Sequence, residues 1–175
     1  SGSSRGLGDV YKRQSSNKVG VVITSTGPGA ANVVGSLVEA RFAGTPLLHI
    51  TGQTATENLD KNQGTVHDVP NQLEMMKSVS KNAYRISSSK NVLEVLEKAL
   101  EEAMTPPTGP VSIEVPIDVQ RTIIDRQEIF NKVIVNDKNI SLGDLKSLDL
   151  IEEEIRNSKR KILWIGNGGK KLTSE

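Results

Sequence analysis

Cysteine is absent from the 175-residue chain. That excludes a disulfide scaffold, a thiol nucleophile and any zinc or iron–sulfur centre built on cysteine. Aromatic residues are scarce, 2 Phe, 2 Tyr and 1 Trp, and hydrophobic residues make up only 35%, so the core has to be aliphatic and gathered in dense blocks. No charge sign dominates: 22 Lys+Arg stand against 21 Asp+Glu, a formal net charge of +1. A sequence-independent nucleic-acid binder needs a surplus of basic residues to neutralise phosphates. No apolar run approaches the roughly 20 residues that span a bilayer, and no charged-then-apolar leader pattern opens the printed sequence. The expectation is a soluble, cytoplasmic protein with neither nucleic acid nor membrane as partner.

The ends have a different character from the middle. The sequence starts Ser1-Gly2-Ser3-Ser4, and residues 1–17 show no apolar periodicity. The string from Gly6 to Gln14 resembles adapter read-through at the edge of assembled sequence data, so residues 1–17 are expected to be foreign or disordered. The far end stops soon after a strand-like run, Ile162-Leu163-Trp164-Ile165. The expected organisation is a partial domain over 18–120, a linker over 121–147 and the start of a second α/β domain over 148–175.

Between the ends, strand-like and helix-like patterns alternate. Val19 to Ile23 is a continuous β-branched run, which predicts a strand buried on both faces. From Ala30 to Ala43 the residues Val33, Val34, Leu37, Val38 and Phe42 predict a helical apolar face, with Gly44 as its stop. Thr45-Pro46 launches a second buried strand that ends at Gly52-Gln53. The polar stretch Thr54 to Val66 is long for a connection inside an α/β unit, and such loops are more often functional than idle. Asp68 is expected to cap a short helix containing Pro70, Leu73, Met76 and Val79. A short strand over Lys81 to Ile86 precedes a helix over Asn91 to Met104 with Val92, Leu96, Ala99, Leu100 and Ala103 on one face. Val111, Ile113 and Val115 then alternate with Ser112 and Glu114 until Pro116. Asp149 to Asn157 reads as a helix and Ile162 to Ile165 as the first strand beyond it. Strand–helix alternation with short links predicts an α/β fold with a doubly wound parallel sheet.

Ligands of open α/β sheets bind beyond the carboxyl ends of the strands. Three features fall there. Thr26-Gly27-Pro28-Gly29-Ala30-Ala31-Asn32 is a glycine-rich turn opening a helix, whose N-terminus offers N–H donors. It lacks the Gly-Lys-Ser/Thr of a P-loop and the third glycine of a dinucleotide fingerprint, and a purely structural tight turn is an equally open reading. Gln53 closes the second strand, as a site group or as a solvated strand end. His67-Asp68 is either an oriented acid/base pair or a cap beside a surface histidine. His49 lies inside a strand and reads as a hydrogen-bonded core histidine. The two histidines assemble no catalytic triad and no HxxxH metal pair.

In this order the glycine turn after Val19–Ile23, the segment Gly44-Thr45-Pro46-Leu47-Leu48-His49-Ile50-Thr51-Gly52-Gln53, and the segment Thr108-Gly109-Pro110-Val111-Ser112-Ile113-Glu114-Val115-Pro116-Ile117-Asp118-Val119 resemble the thiamine-diphosphate enzymes, and most of all the acetolactate synthase large subunit type. The resemblance covers roughly residues 18–120, the pyrimidine-binding domain. It implies that Thr26, Gly27, Pro28, Gly29 and Asn32 line the cofactor's pyrimidine end and a dimer interface. Gln53, His67, Asp68 and Lys81 would fall along the substrate channel. His67-Asp68 stands where acetolactate synthases carry Gln-Glu after a Phe, and Val66 replaces that Phe, which puts acetolactate specificity in doubt.

The resemblance further implies thiamine diphosphate with Mg²⁺ in the whole protein, FAD as an open question, a 2-keto acid substrate and at least a homodimer. The cofactor carries the chemistry and the protein tunes it. The glutamate that activates the pyrimidine should precede Val19, yet the first glutamate here is Glu39. The Gly-Asp-Gly…Asn motif for the diphosphate and metal is also missing. This stretch by itself is therefore expected to be inactive. The rival readings are a decarboxylase or acyltransferase branch of the same family, and a non-catalytic α/β ligand-binding module.

Overall fold

The computed structural model describes residues 19–61, 63–124, 145–162 and 164–166. The expectation for residues 1–17, and most of the linker expected over 121–147, lie outside the described residues. The chain divides into two compact units, Ser1–Asn136 and Asp137–Glu175.

In the first unit, β1 (Gly20–Thr24), β2 (Leu47–Gln53), β3 (Asn82–Arg85) and β4 (Pro110–Pro116) form one sheet in the order β1-β2-β4-β3, with every neighbouring pair parallel. Helix α1 (Pro28–Phe42) joins β1 to β2, α2 (Gln72–Val79) leads into β3, α3 (Val92–Met104) joins β3 to β4, and the short α4 (Ile117–Arg121) follows β4. Parallel neighbours require crossovers, and the helices supply them on both faces. Ala30, Val33, Leu37 and Ala40 of α1 and Met76 of α2 pack with Leu47 and Ala83 on one face. Ala99 and Ala103 of α3 pack with Leu48, Val111 and Ile113 on the other. The fold is the doubly wound α/β class expected from the sequence.

Four local expectations are corrected. β1 is an edge strand: Val21 and Ile23 are 51% and 75% exposed, because β1 has a neighbour on one side only and Val22 alone among its three apolar side chains packs against the α1 side. The buried stripe of α1 is Ala30, Val33, Ser36, Leu37 and Ala40, whereas Phe42 is 92% exposed. Small residues let the helix lie close on the sheet, and that contact rotates the larger Val38 and Phe42 outward. Asp68 does not cap α2. The helix starts at Gln72 after Asn71, which adopts a left-handed conformation with φ 59°, and Asp68 instead closes a turn through its N–H to Thr65 O at 3.0 Å. In β4 the alternation does not separate a wet face from a dry one, since Ser112 and Glu114 are fully buried beneath the α1/α2 layer.

In the second unit, α5 (Leu145–Asn157) carries an Arg156–Glu152 ion pair one turn apart at 2.6 Å. Leu148, Ile151 and Ile155 of α5 are exposed. The strand expected over Ile162 to Ile165 is not formed at its described residues, and Trp164 is 93% exposed. A strand exists by pairing, and among the described residues of this unit no other strand offers a partner.

Candidate functional site

The glycine turn is held from below by a side chain the sequence does not advertise. Gln72, fully buried at the start of α2, accepts the Gly27 N–H through Oε1 at 2.7 Å, and the Thr26 hydroxyl donates to the same oxygen at 3.3 Å. Its Nε2 donates to Glu114 Oε1 at 2.9 Å and to the Gly52 carbonyl at 3.1 Å. One carboxamide thus joins the turn to the ends of β2 and β4. Gly27 has φ 61°, and a Cβ there would collide with the His67 carbonyl. Only glycine lets the turn sit against the His67 backbone.

Glu114 is the centre of this cluster. Its Oε1 takes the Gln72 and Gln53 amides, at 2.9 and 3.3 Å, and its Oε2 takes Arg85 Nε at 2.8 Å. Arg85 also reaches Asp60 of the long loop at 2.8 Å. Burial by itself would lower the Arg85 pKa, but hydrogen bonds to Asp60 and Glu114 outweigh it and raise the pKa above the ordinary value. A buried carboxylate is tolerated when it is paired and its lone pairs are filled.

Beyond the carboxyl ends of β1, β2 and β4 lies a cavity of about 560 Å³. Ile23, Ile50, Val66, Val115 and Ile117 give it apolar walls, and Ser25, Thr26, Thr51 and Gln53 give it polar edges. Gln53 is almost completely buried: its Oε1 accepts the Thr54 N–H at 2.8 Å and the Thr26 hydroxyl at 3.4 Å. The hydroxyl of Thr54, another lining residue, has no hydrogen-bond partner among the described residues.

The structure brings Thr26, Gly27 and Gln53 together. Gly29 packs against the Ser25 side chain, so closely that a Cβ would clash, and Pro28 and Asn32 are exposed on the first turns of α1. His67 meets the turn through its backbone while its residue as a whole is exposed, and Asp68 is half-buried beside it. Lys81 lies apart from them, just before β3 at the amino ends of the strands, with Nζ donating to the carbonyls of Glu102 and Thr105 at 2.7 and 2.8 Å. The idea that the helix N-terminus offers free donors fares poorly. The Gly27 N–H is taken by Gln72, Pro28 has none, and the Ala31 N–H bonds Gly27 O at 2.9 Å.

His49 is the core histidine the sequence implies. Its Nε2 pairs with Thr24 Oγ1 at 2.9 Å and its Nδ1 with Ser112 Oγ at 3.1 Å, and Ser112 continues to Ser80 at 2.8 Å. Burial lowers its pKa from 6.5 to about 4, so the ring is neutral near pH 7.

Gln72, Glu114, Arg85 and Asp60 were not singled out from the sequence. Glu114 carried one signal: a carboxylate between Ile113 and Val115 in a strand flanked by prolines, where both faces of a central strand are covered. Gln72 carried none.

A parallel sheet wound on both faces, with Thr26 of the glycine turn and a glutamine strand end at one apolar-walled cavity, defines a doubly wound α/β domain with a candidate site at the carboxyl ends of its strands. Residues 3–75 match the family described as thiamine pyrophosphate enzyme, N-terminal TPP binding domain. That match begins inside the segment which the sequence reading sets aside. The chain is 31% identical over 163 residues to a probable acetolactate synthase large subunit of Methanococcus aeolicus, covering 91% of this chain and 26% of that protein. It is 30% identical over 165 residues to acetolactate synthase 1, chloroplastic, of Zea mays, covering 89% and 24%. It is 25% identical over 155 residues to the acetolactate synthase large subunit of Corynebacterium glutamicum, again covering 89% and 24%. The chain is thus similar to the thiamine pyrophosphate enzymes over residues 3–75 and to acetolactate synthases over about nine-tenths of its own length. It spans about a quarter of the length of these relatives.

Proposed function

We propose that the cavity beyond β1, β2 and β4 receives the aminopyrimidine ring of thiamine diphosphate, and that the whole protein is an acetolactate synthase-like carboligase acting on 2-keto acids. The observation that supports it is the convergence of Thr26, at the start of the glycine turn, and Gln53 on one apolar-walled cavity. A flat heteroaromatic ring needs apolar walls and a few fixed polar groups at its edge. Ile23, Ile50 and Val115 are suited to the first role, and Ser25, Thr26, Gln53 and the unpartnered Thr54 hydroxyl to the second.

The charged end of the cofactor fits elsewhere. Among the described residues no cluster of three or more acidic or histidine side chains could hold a metal, and no basic side chain lines the cavity. Diphosphate and Mg²⁺ are accordingly assigned to another domain, and completion of the site to a second subunit. Bound thiamine diphosphate supplies a nucleophilic thiazolium carbon. This chain's residues shield the pyrimidine from water and fix its orientation, with Asn32 at the helix start facing the interface. FAD, if bound, belongs to a domain outside this one. Among the described residues no helix is long and apolar enough to cross a membrane, and a cytoplasmic setting is proposed.

Val66 favours a second reading within the family. It lines the cavity where the resemblance expects a phenylalanine, and the smaller side chain leaves room for a different 2-keto acid or acceptor, as in a decarboxylase or acyltransferase branch.

The test of the site is a titration of this chain with 4-amino-5-hydroxymethyl-2-methylpyrimidine, followed by backbone amide resonances. Shifts confined to Thr26, Gly29, Gln53 and Thr54 are expected. Saturating ligand with no shift at these positions overturns the assignment.

A further inference from the structure

We propose that Gln72 is a positioning residue that sets the glycine turn, whose first residue Thr26 lines the cavity, by locking it to the buried Glu114–Arg85 pair. The inference rests on the reading of that turn as a ligand-facing element, but its structural half can be tested without any ligand. Gln72 bonds both ends of the site, and among the described residues it is the side chain that holds the Gly27 backbone N–H. Its oxygen receives Gly27 N–H and the Thr26 hydroxyl, and its nitrogen gives hydrogens to Glu114 and the Gly52 carbonyl. Its hydrogen-bonding capacity is filled with no water needed, and it is fully buried.

The arrangement is directional. Glu114 Oε1 accepts only, so it orients the Gln72 amide with nitrogen toward β4 and oxygen toward the turn. Arg85 holds the other Glu114 oxygen, and Asp60 of the long loop holds Arg85. A chain of contacts therefore runs from the loop through Arg85, Glu114 and Gln72 to the Gly27 amide. The Thr26 hydroxyl is shared between Gln72 and Gln53. Losing Gln72 would free the Gly27 backbone N–H and leave the Thr26 hydroxyl with Gln53 alone. A glutamine that merely filled space would have no reason to bond the turn.

Two variants separate positioning from packing. Gln72→Met keeps the volume and removes every hydrogen bond. Amide hydrogen exchange at Gly27 should then accelerate about tenfold or more, since a buried donor is left unpaired, while Leu48 and Ile113 in the sheet change far less. Gln72→Glu keeps the acceptor for Gly27 but turns the donor end into an oxygen facing Glu114 Oε1 and the Gly52 carbonyl. Two carboxylates at that distance cannot both ionise readily. The titratable groups facing the position are Glu114 from β4, Arg85 from β3 and, through Arg85, Asp60 from the loop. Gly27 protection in this variant should be poor at pH 8 and recover toward pH 5, where one shared proton restores a donor; the parent chain should show no such recovery.

Unchanged Gly27 exchange in Gln72→Met overturns the proposal. So does loss of Gly27 and sheet protection in parallel in both variants at every pH, which would make Gln72 a general core residue. The aminopyrimidine titration adds a separate arm: Gln72→Met should weaken binding about tenfold, by the same lost positioning. If the parent chain binds no aminopyrimidine, the ligand reading fails, and the exchange data still decide whether Gln72 sets the turn.

Discussion

β1 and β4 invert the usual relation between composition and burial. β1 reads Gly-Val-Val-Ile-Thr, more apolar than its counterpart, yet Val21 and Ile23 face outward. β4 reads Pro-Val-Ser-Ile-Glu-Val-Pro, and its serine and glutamate are as dry as its valine and isoleucine. Place in the sheet decides the outcome. β4 lies between β2 and β3 with α3 on one face and α2 on the other, whereas β1 closes the row. Energy is concentrated accordingly. A buried polar group with all its partners is a high-stakes contact, and an exposed valine is a low-stakes one.

The largest effect that can break this contrast lies at Glu114. Replacing it by alanine leaves the Arg85 guanidinium with Asp60 alone and the Gln53 and Gln72 amides without their shared acceptor. Removing one partner of a buried pair costs about 3–5 kcal/mol. The unfolding free energy of Glu114→Ala, read from urea denaturation, should fall by that amount, or the chain should fail to fold. A loss below about 1 kcal/mol, the worth of an exposed ion pair, would mean that Glu114 is hydrated and β4 is less dry than its geometry states.

His49 ties the two strands together, between Thr24 at the end of β1 and Ser112 in β4. Its folded pKa of about 4 lies below the 6.5 of an unburied histidine. The unfolded chain therefore takes up a proton that the folded chain refuses as the pH falls from 6.5 toward 4. Stability should be at its full value above pH 6.5 and lose about 3 kcal/mol by pH 4, at the 1.4 kcal/mol that each pKa unit represents. Urea unfolding at pH 7, 5.5 and 4 reads the slope. His49→Gln should flatten it; an equal slope in the His49 variant would assign the acid sensitivity to other groups instead.

The same contrast explains what the sequence disclosed. Periodicity and punctuation located the four strands and the three longer helices of the first unit, because Gly44, Pro46, Pro106 and Pro116 mark the chain locally, but they missed the short helix Ile117–Arg121. They did not disclose burial, which depends on neighbours. Strand order is a long-range property, so an apolar run such as Val21-Val22-Ile23 looks alike at the edge and at the centre. The candidate site was half legible. Thr26, Gly27 and Gln53 belong to local motifs and meet as expected, while Lys81 stands at the other end of the sheet. Gln72 and Glu114 meet across 42 positions of sequence, and no pattern in either neighbourhood announces the contact.

The smallest predicted effect sharpens the comparison from the other side. Val21→Thr keeps the β-branched shape that suits a strand and changes a methyl for a hydroxyl on a half-exposed side chain. An exposed substitution away from caps, pairs and core lies within about 0.5 kcal/mol of the parent. The unfolding free energy of Val21→Thr, read from urea denaturation, should stay inside that range. The outcome separates two causes of apolar character at an edge. If stability is unchanged, the valine contributes strand propensity alone, and the outer face of β1 is open in this chain. If the variant loses more than about 1 kcal/mol, the size of a buried methylene's transfer term, then Val21 is covered in solution, and the edge is as much an interior as β4.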